Sequence, residues 1–254
     1  MEYNSFYKKA GKGKTVILLH GFLESCEVWN ELIEVLEKDF HLIVPDLLGH
    51  GKTPATSKVH TMEMMAEQVF SILETEKIEE CILVGHSMGG YVSLAFAEKY
   101  PQKVKGIVLM NSTPLPDSDD KKANRERVAA VVDNDKTFFI RSSVTNLFSE
   151  ENKQLMKVKI EEIINVASKT PNEGIKAASL GMKERPNRTL ILKSLPAPKH
   201  FIIGKKDALI PYEELVTLAN EIGATYSLLE GGHMSYIENK SETISILKNF
   251  INEV

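Results

Sequence analysis

The chain has 254 residues, 43% hydrophobic and 26% charged, the balance of an ordinary soluble globular protein long enough to bury a large core. A formal net charge of −4, with both signs scattered along the chain, leaves no electrostatic case for nucleic acid or an anionic membrane. Two cysteines, an N-terminus without an apolar h-region and no apolar run near the ~18 residues of a membrane span read as a cytoplasmic protein without disulfides.

Along the chain, short apolar runs alternate with longer amphipathic segments. A weak edge-strand pattern at Tyr3–Lys8 precedes a buried strand at Thr15–Leu19, which ends in His20-Gly21. A second apolar strand, His41–Val44, runs into "PDLLGHGKT". Met62–Lys77 is helical by period, with Met62, Met65, Val69 and Ile72 on one stripe. Cys81–Val84 is a strand, followed by a helix over Met88–Tyr100 that Pro101 halts, and then by a strand at Gly106–Met110. Between about Pro114 and Pro186 only helical patterns occur. Met156, Ile160, Ile163 and Ala167 share one face there, and Ala177, Ala178 and Met182 another. Strands return at Lys199–Ile203 and Thr225–Leu229, flanking a helix over Tyr212–Ile222 that Pro211 opens.

Apolar strands without alternation suit parallel strands covered on both faces. The pattern predicts an α/β fold with a doubly wound, mostly parallel sheet and a helical cap inserted between two late strands. We expect a single domain over residues 1–254, with core segments 1–113 and 187–254 and a cap at about 114–186.

The chemistry centres on Gly85-His86-Ser87-Met88-Gly89, a G-x-S-x-G run directly after a strand and before a helix. Glycines two residues either side of Ser87 permit a tight turn, and the following helix N-terminus favours developing negative charge. An oxyanion hole needs two main-chain donors. The N–H of Met88, after the serine, and that of Phe22, in "VILLHGF", are the natural pair. Of seven histidines, His233 in "LLEGGHMSYIE" follows the last strand and fits the general base. His86 adjoins Ser87, but its side chain is expected to point away from the serine. Asp207 in "FIIGKKDALIP" follows the penultimate strand and fits the acid that orients the imidazole. Glu230 lies too close to His233 in sequence, and Asp46 reads as structural. "GKGKT" lacks the spacing of a phosphate loop and precedes a strand. With no Cys/His cluster of zinc spacing and no G-x-G-x-x-G after a strand, neither metal nor dinucleotide is expected, and no cofactor is called for. Cys26 is expected to be passive.

The elements "LLHGF", "PDLLGHGKT", "GHSMGG", "GKKDALIP" and "GGHMSYIE" occur in an order that resembles the α/β-hydrolase superfamily over nearly the whole chain. The resemblance is to its small esterase, lactonase and cofactor-free haloperoxidase-like members. It implies a helical cap between sixth- and seventh-strand positions and a Ser–His–Asp site under a lid, carried by Ser87, His233 and Asp207. Serine at the elbow argues against epoxide hydrolases and haloalkane dehalogenases, which have aspartate there. Tyr91 stands where the menaquinone-pathway lyase has arginine, although Arg125 and Arg127 in the cap remain available to an anionic substrate. The charged cap differs from the apolar lids of interfacial lipases. The expected reaction is cleavage of a small carboxylic ester, lactone or thioester through an acyl-enzyme. An ordinary imidazole pKa near ~6.5 predicts activity rising between roughly pH 6 and 8. Two other readings stand beside it: a lyase or C–C bond hydrolase using the same residues, and a weakly catalytic small-molecule receptor. The expected partner is a small ester-like molecule, with no nucleic acid and no membrane.

Overall fold

In the computed structural model, which describes residues 4–254, seven strands form one sheet. They are β1 (Tyr7–Ala10), β2 (Thr15–Leu19), β3 (His41–Pro45), β4 (Cys81–His86), β5 (Val104–Met110), β6 (Lys199–Gly204) and β7 (Thr225–Leu229). Their order is β1-β3-β2-β4-β5-β6-β7, and every neighbouring pair is parallel except β1 with β3. The expected edge strand around Tyr3–Lys8 begins outside the described residues. The strand found runs from Tyr7 to Ala10, and its two lysines and partial exposure suit an edge that must resist further pairing.

Both faces of the sheet are buried, which explains the missing alternation in the sequence. Val16 and Leu18 of β2 join one apolar cluster, while Ile17 and Leu19 join the other. Helices α1 (Asn30–Leu36), α2 (Met62–Thr75) and α3 (Met88–Lys99) fall between the early strands. The predicted stripe of α2 is buried, and the Thr61 hydroxyl caps its first turn by accepting the Met64 N–H at 3.2 Å.

Five helices separate β5 from β6: α4 (Asp119–Thr145), α5 (Glu150–Leu155), α6 (Lys157–Ser168), α7 (Asn172–Glu184) and α8 (Thr189–Ser194). Helix α4 breaks at Asp135, where φ is −152° and ψ 83°. The Asp135 carboxylate accepts the Phe138 N–H at 2.9 Å, so the second half starts with its own cap. After β6 come α9 (Tyr212–Ile222), which ends on Gly223 in the left-handed region (φ 70°), and finally α10 (Ser235–Glu238) and α11 (Lys240–Glu253). Because β2, β4, β5, β6 and β7 run parallel, the loops that leave their C-terminal ends gather at one edge. No helix among the described residues is long and apolar enough to cross a membrane.

Candidate active site

Strand β4 ends in the serine turn, and the backbone there is strained. Ser87 has φ 49° and ψ −114°, a region that side chains avoid at a cost of order 1–3 kcal/mol. The turn survives because its neighbours hold it. The Ser87 N–H donates to the Met110 carbonyl at 3.0 Å, and the Ser112 hydroxyl donates to the Ser87 carbonyl at 2.7 Å. The flanking glycines are sterically required. A Cβ at Gly85 would collide with the Gly89 carbonyl, and one at Gly89 with the Leu19 carbonyl.

The three side chains singled out by spacing form one hydrogen-bonded row. His233 Nε2 lies 2.8 Å from Ser87 Oγ, and His233 Nδ1 lies 2.7 Å from Asp207 Oδ2. Since the carboxylate only accepts, Nδ1 carries the proton and Nε2 presents its lone pair to the serine hydroxyl. Asp207 also accepts the Asn111 amide at 3.0 Å on Oδ2, and the Leu209 and Ile210 N–H groups at 2.8 and 3.2 Å on Oδ1. Burial pushes its carboxyl up. The charge and hydrogen bond of His233, with the Asn111 and Leu209 donors, outweigh that and hold it below the usual carboxylate range. The His233 loop is pinned from the turn between α4 and α5, for the Leu147 carbonyl accepts the His233 N–H at 2.8 Å.

The main-chain N–H groups of Phe22 and Met88 complete the expected set. Among the described residues neither donates to a protein acceptor, although Met88 is fully buried and Phe22 half-buried. Met88 opens α3, so its N–H is one of the free donors of a helix start.

A family model described as "alpha/beta hydrolase fold" matches residues 14–240. The chain belongs to the α/β-hydrolase family. A thermophilic esterase from Thermogutta terrifontis, solved with malate bound, is 32% identical, with 98% of this chain and 93% of that one covered and a TM-score of 0.94. Pyrrolizixenacetamide deacetylase from Xenorhabdus hominickii is 27% identical, covering 95% of this chain and 92% of that protein. A Mycobacterium tuberculosis protein is 28% identical over 77% of this chain, which spans about half (52%) of that relative's length.

In this α/β-hydrolase the serine opens on a cavity of about 370 Å³. Phe22, Leu23, Tyr91 and Ile210 give it apolar walls, and the inserted segment contributes Val128 and Phe139 of α4 and Leu147 from the turn after it. The segment also contributes cations. Asp117 is shared between Arg125, 3.1 Å away, and Arg185, 2.9 Å away, and the Arg185 guanidinium stacks 3.9 Å over the Tyr91 ring. Burial would raise the Asp117 carboxyl, but the two arginines outweigh it and hold it low. Among the described residues the terminal nitrogens of Arg125 donate to no group, and Lys121 reaches only the Leu209 carbonyl at 3.1 Å. Arg127 is turned elsewhere, to Asn124.

The remaining candidates fall outside the row. Asp46 accepts the Cys26 and Lys52 N–H groups at 2.7 and 2.8 Å and shapes its own loop, the structural part expected of it. Cys26 is buried beside it, and burial together with the Asp46 charge pushes the thiol up to about 12, leaving it unreactive. His86 does point away from Ser87, toward Glu24. Among the described residues no group of three His, Cys, Asp or Glu side chains could hold a metal ion. Sequence reasoning missed Asn111 and Ser112, which follow β5 at the same edge, and Glu24. The available signal for the first two was a polar pair closing an apolar strand. Asn111 also adopts a positive φ of 46°, which few residues other than glycine tolerate as well.

Proposed function

We propose that the protein is a serine hydrolase that cleaves a small carboxylic ester, lactone or thioester through an acyl-enzyme, with residues of about 114–186 capping the site. Ser87 Oγ attacks the carbonyl carbon while His233 Nε2 takes its proton, and Asp207 holds the imidazole and steadies the imidazolium that forms. The N–H groups of Phe22 and Met88 receive the oxyanion, each contributing about 3 kcal/mol in comparable sites. His233 then protonates the leaving group, and a water activated by the same nitrogen releases the acid.

The observation that carries this reading is the row Asp207–His233–Ser87, at 2.7 and 2.8 Å, beside two main-chain donors that have no protein acceptor among the described residues. Its relatives include proteins named as an esterase and a deacetylase, which agrees with acyl transfer as the reaction class. Burst kinetics with p-nitrophenyl esters test it. A rapid release of one equivalent of p-nitrophenol per site, absent in Ser87→Ala, is the expected result.

One observation favours a second reading. The terminal nitrogens of Arg125, unpaired among the described residues, and Lys121 beside them in the lining give the cavity wall positive charge that a simple neutral ester does not use. A lyase or C–C bond hydrolase acting on an anionic substrate would use it. Absence of the burst with retained Ser87 reactivity would support that alternative.

A further inference from the structure

Beside the serine turn, on the wall of the same cavity, lies a polar cluster that the proposed chemistry leaves unused. Glu24, in the loop after β2, and His86, the last residue of β4, are buried to within 2% of full enclosure. Glu24 Oε2 accepts the Gly21 N–H at 2.6 Å, and Oε1 accepts the Tyr236 hydroxyl at 3.1 Å. His86 Nδ1 lies 3.2 Å from the same carboxylate, and His86 Nε2 lies 2.9 Å from the main-chain carbonyl of His233.

The donors and acceptors fix the state of this ring. Both partners of His86 are acceptors when Glu24 is ionised, so both ring nitrogens must carry protons. Three other buried histidines show the contrast. His20, His50 and His60 each receive a main-chain N–H on one ring nitrogen, from Leu47, Leu23 and Thr56 respectively, so each must be neutral. His86 is arranged the other way round, with a carboxylate against it.

The pair also joins the two halves of the proposed machinery. Glu24 grips Gly21, whose next residue is the oxyanion donor Phe22. His86 grips the carbonyl of His233 itself, and the two rings stand 5.1 Å apart. Gly21 is bare because a Cβ there would press on His86 Nδ1 and the Glu24 carboxylate.

We propose that Glu24 and His86 form a permanent carboxylate–imidazolium pair, a positioning device that sets the oxyanion loop and the base His233 in register with each other. This rests on Ser87 being the nucleophile as proposed above, and the two claims part company in the test. The charged or titratable groups facing His86 are Glu24, Tyr236, His233, Asp207 and His20. Burial alone would strip the His86 proton, and the Glu24 charge and hydrogen bond reverse that direction. Burial likewise raises the Glu24 carboxyl, and His86 with the Gly21 donor reverses it.

The test has two arms. In ¹⁵N-histidine-labelled protein, with His86 assigned through His86→Gln, both ring nitrogens should keep imidazolium shifts from pH 5 to 9. In Glu24→Gln they should become those of a neutral tautomer. A neutral His86 in the wild type at pH 7 overturns the pair. The second arm is the rate at which a fluorophosphonate labels Ser87, counted per folded molecule. Glu24→Ala should slow it by about a hundredfold, the usual consequence of a small misplacement of reacting groups. Labelling of Glu24→Ala at the wild-type rate overturns the positioning role, even if its melting temperature has fallen. A wild type that labels normally but hydrolyses no ester would count against the hydrolase reading and leave this pair in place.

Discussion

The Asn111 amide donates to Asp207 Oδ2 across 3.0 Å, so the residue that follows β5 also holds the carboxylate hydrogen-bonded to His233. Asn111 is itself held, for the Ser235 hydroxyl donates to its carbonyl and its N–H donates to the Ile202 carbonyl at 2.8 Å. The acid is therefore fixed from β5, from β6 and from the loop that carries His233. Asp207→Asn should keep this packing but offer His233 Nδ1 a donor in place of an acceptor. We expect kcat to fall by about 10⁴-fold with little loss of fold, the effect of imposing the wrong tautomer. A loss under tenfold in pre-steady-state ester hydrolysis would show that Asp207 does not orient the base.

The strain at Ser87 predicts a stability gain from losing function. Glycine reaches φ 49°, ψ −114° without a Cβ clash, whereas alanine keeps the penalty. Ser87→Gly should melt about 2–4 °C above Ser87→Ala, or about 1 kcal/mol for a chain of this size, with both inactive. Equal melting temperatures in calorimetry would mean the turn stores no such strain.

Much of this site is local in sequence and therefore legible there. The serine turn needs only a strand, two glycines and a helix start, all within a dozen residues. Asp207 and His233 announce themselves by ending late strands. The parts that escaped depend on distant partners. Glu24 reads as a solvated loop acid until His86, 62 residues away, is placed against it, and Asn111 acquires meaning only beside Asp207, 96 residues on. Strand β1 was displaced because an edge strand carries charge and partial exposure instead of an apolar run.

Arg125 should sort substrates by charge. Its Nε is anchored to Asp117, while among the described residues its terminal nitrogens beside the cavity donate to no group. Arg125→Gln should raise KM by about tenfold for the p-nitrophenyl monoester of a dicarboxylic acid, the loss of one charge-assisted contact. KM for a neutral ester of equal length should stay within about twofold. An equal rise for both esters would make the arginine a packing element only.

Three neutral buried histidines make the fold sensitive to mild acid. Burial lowers His20, His50 and His60, with His50 brought down to about 3. Their unfolded counterparts titrate near ~6.5, so below that pH the unfolded chain binds more protons and stability falls as pH falls. One such histidine removes about 2 kcal/mol by pH 5. The raised His86 acts in the opposite sense, stabilising at low pH, but it stands against these three and His200, which burial brings down to about 4. Urea midpoints should drop clearly between pH 7.5 and 5.0, and less so in His50→Gln. A midpoint that holds steady or rises toward pH 5 would contradict the assignment of neutral histidines.

We propose that Ser87, activated by His233, attacks an acyl carbonyl. The most direct measurement is turnover of an acyl-chain series of p-nitrophenyl esters by the wild type and by Ser87→Ala, with stopped-flow detection of the burst. A one-equivalent burst and steady turnover are expected for at least one chain length in the wild type, and neither in Ser87→Ala. Equal hydrolysis by both proteins across the series would contradict it.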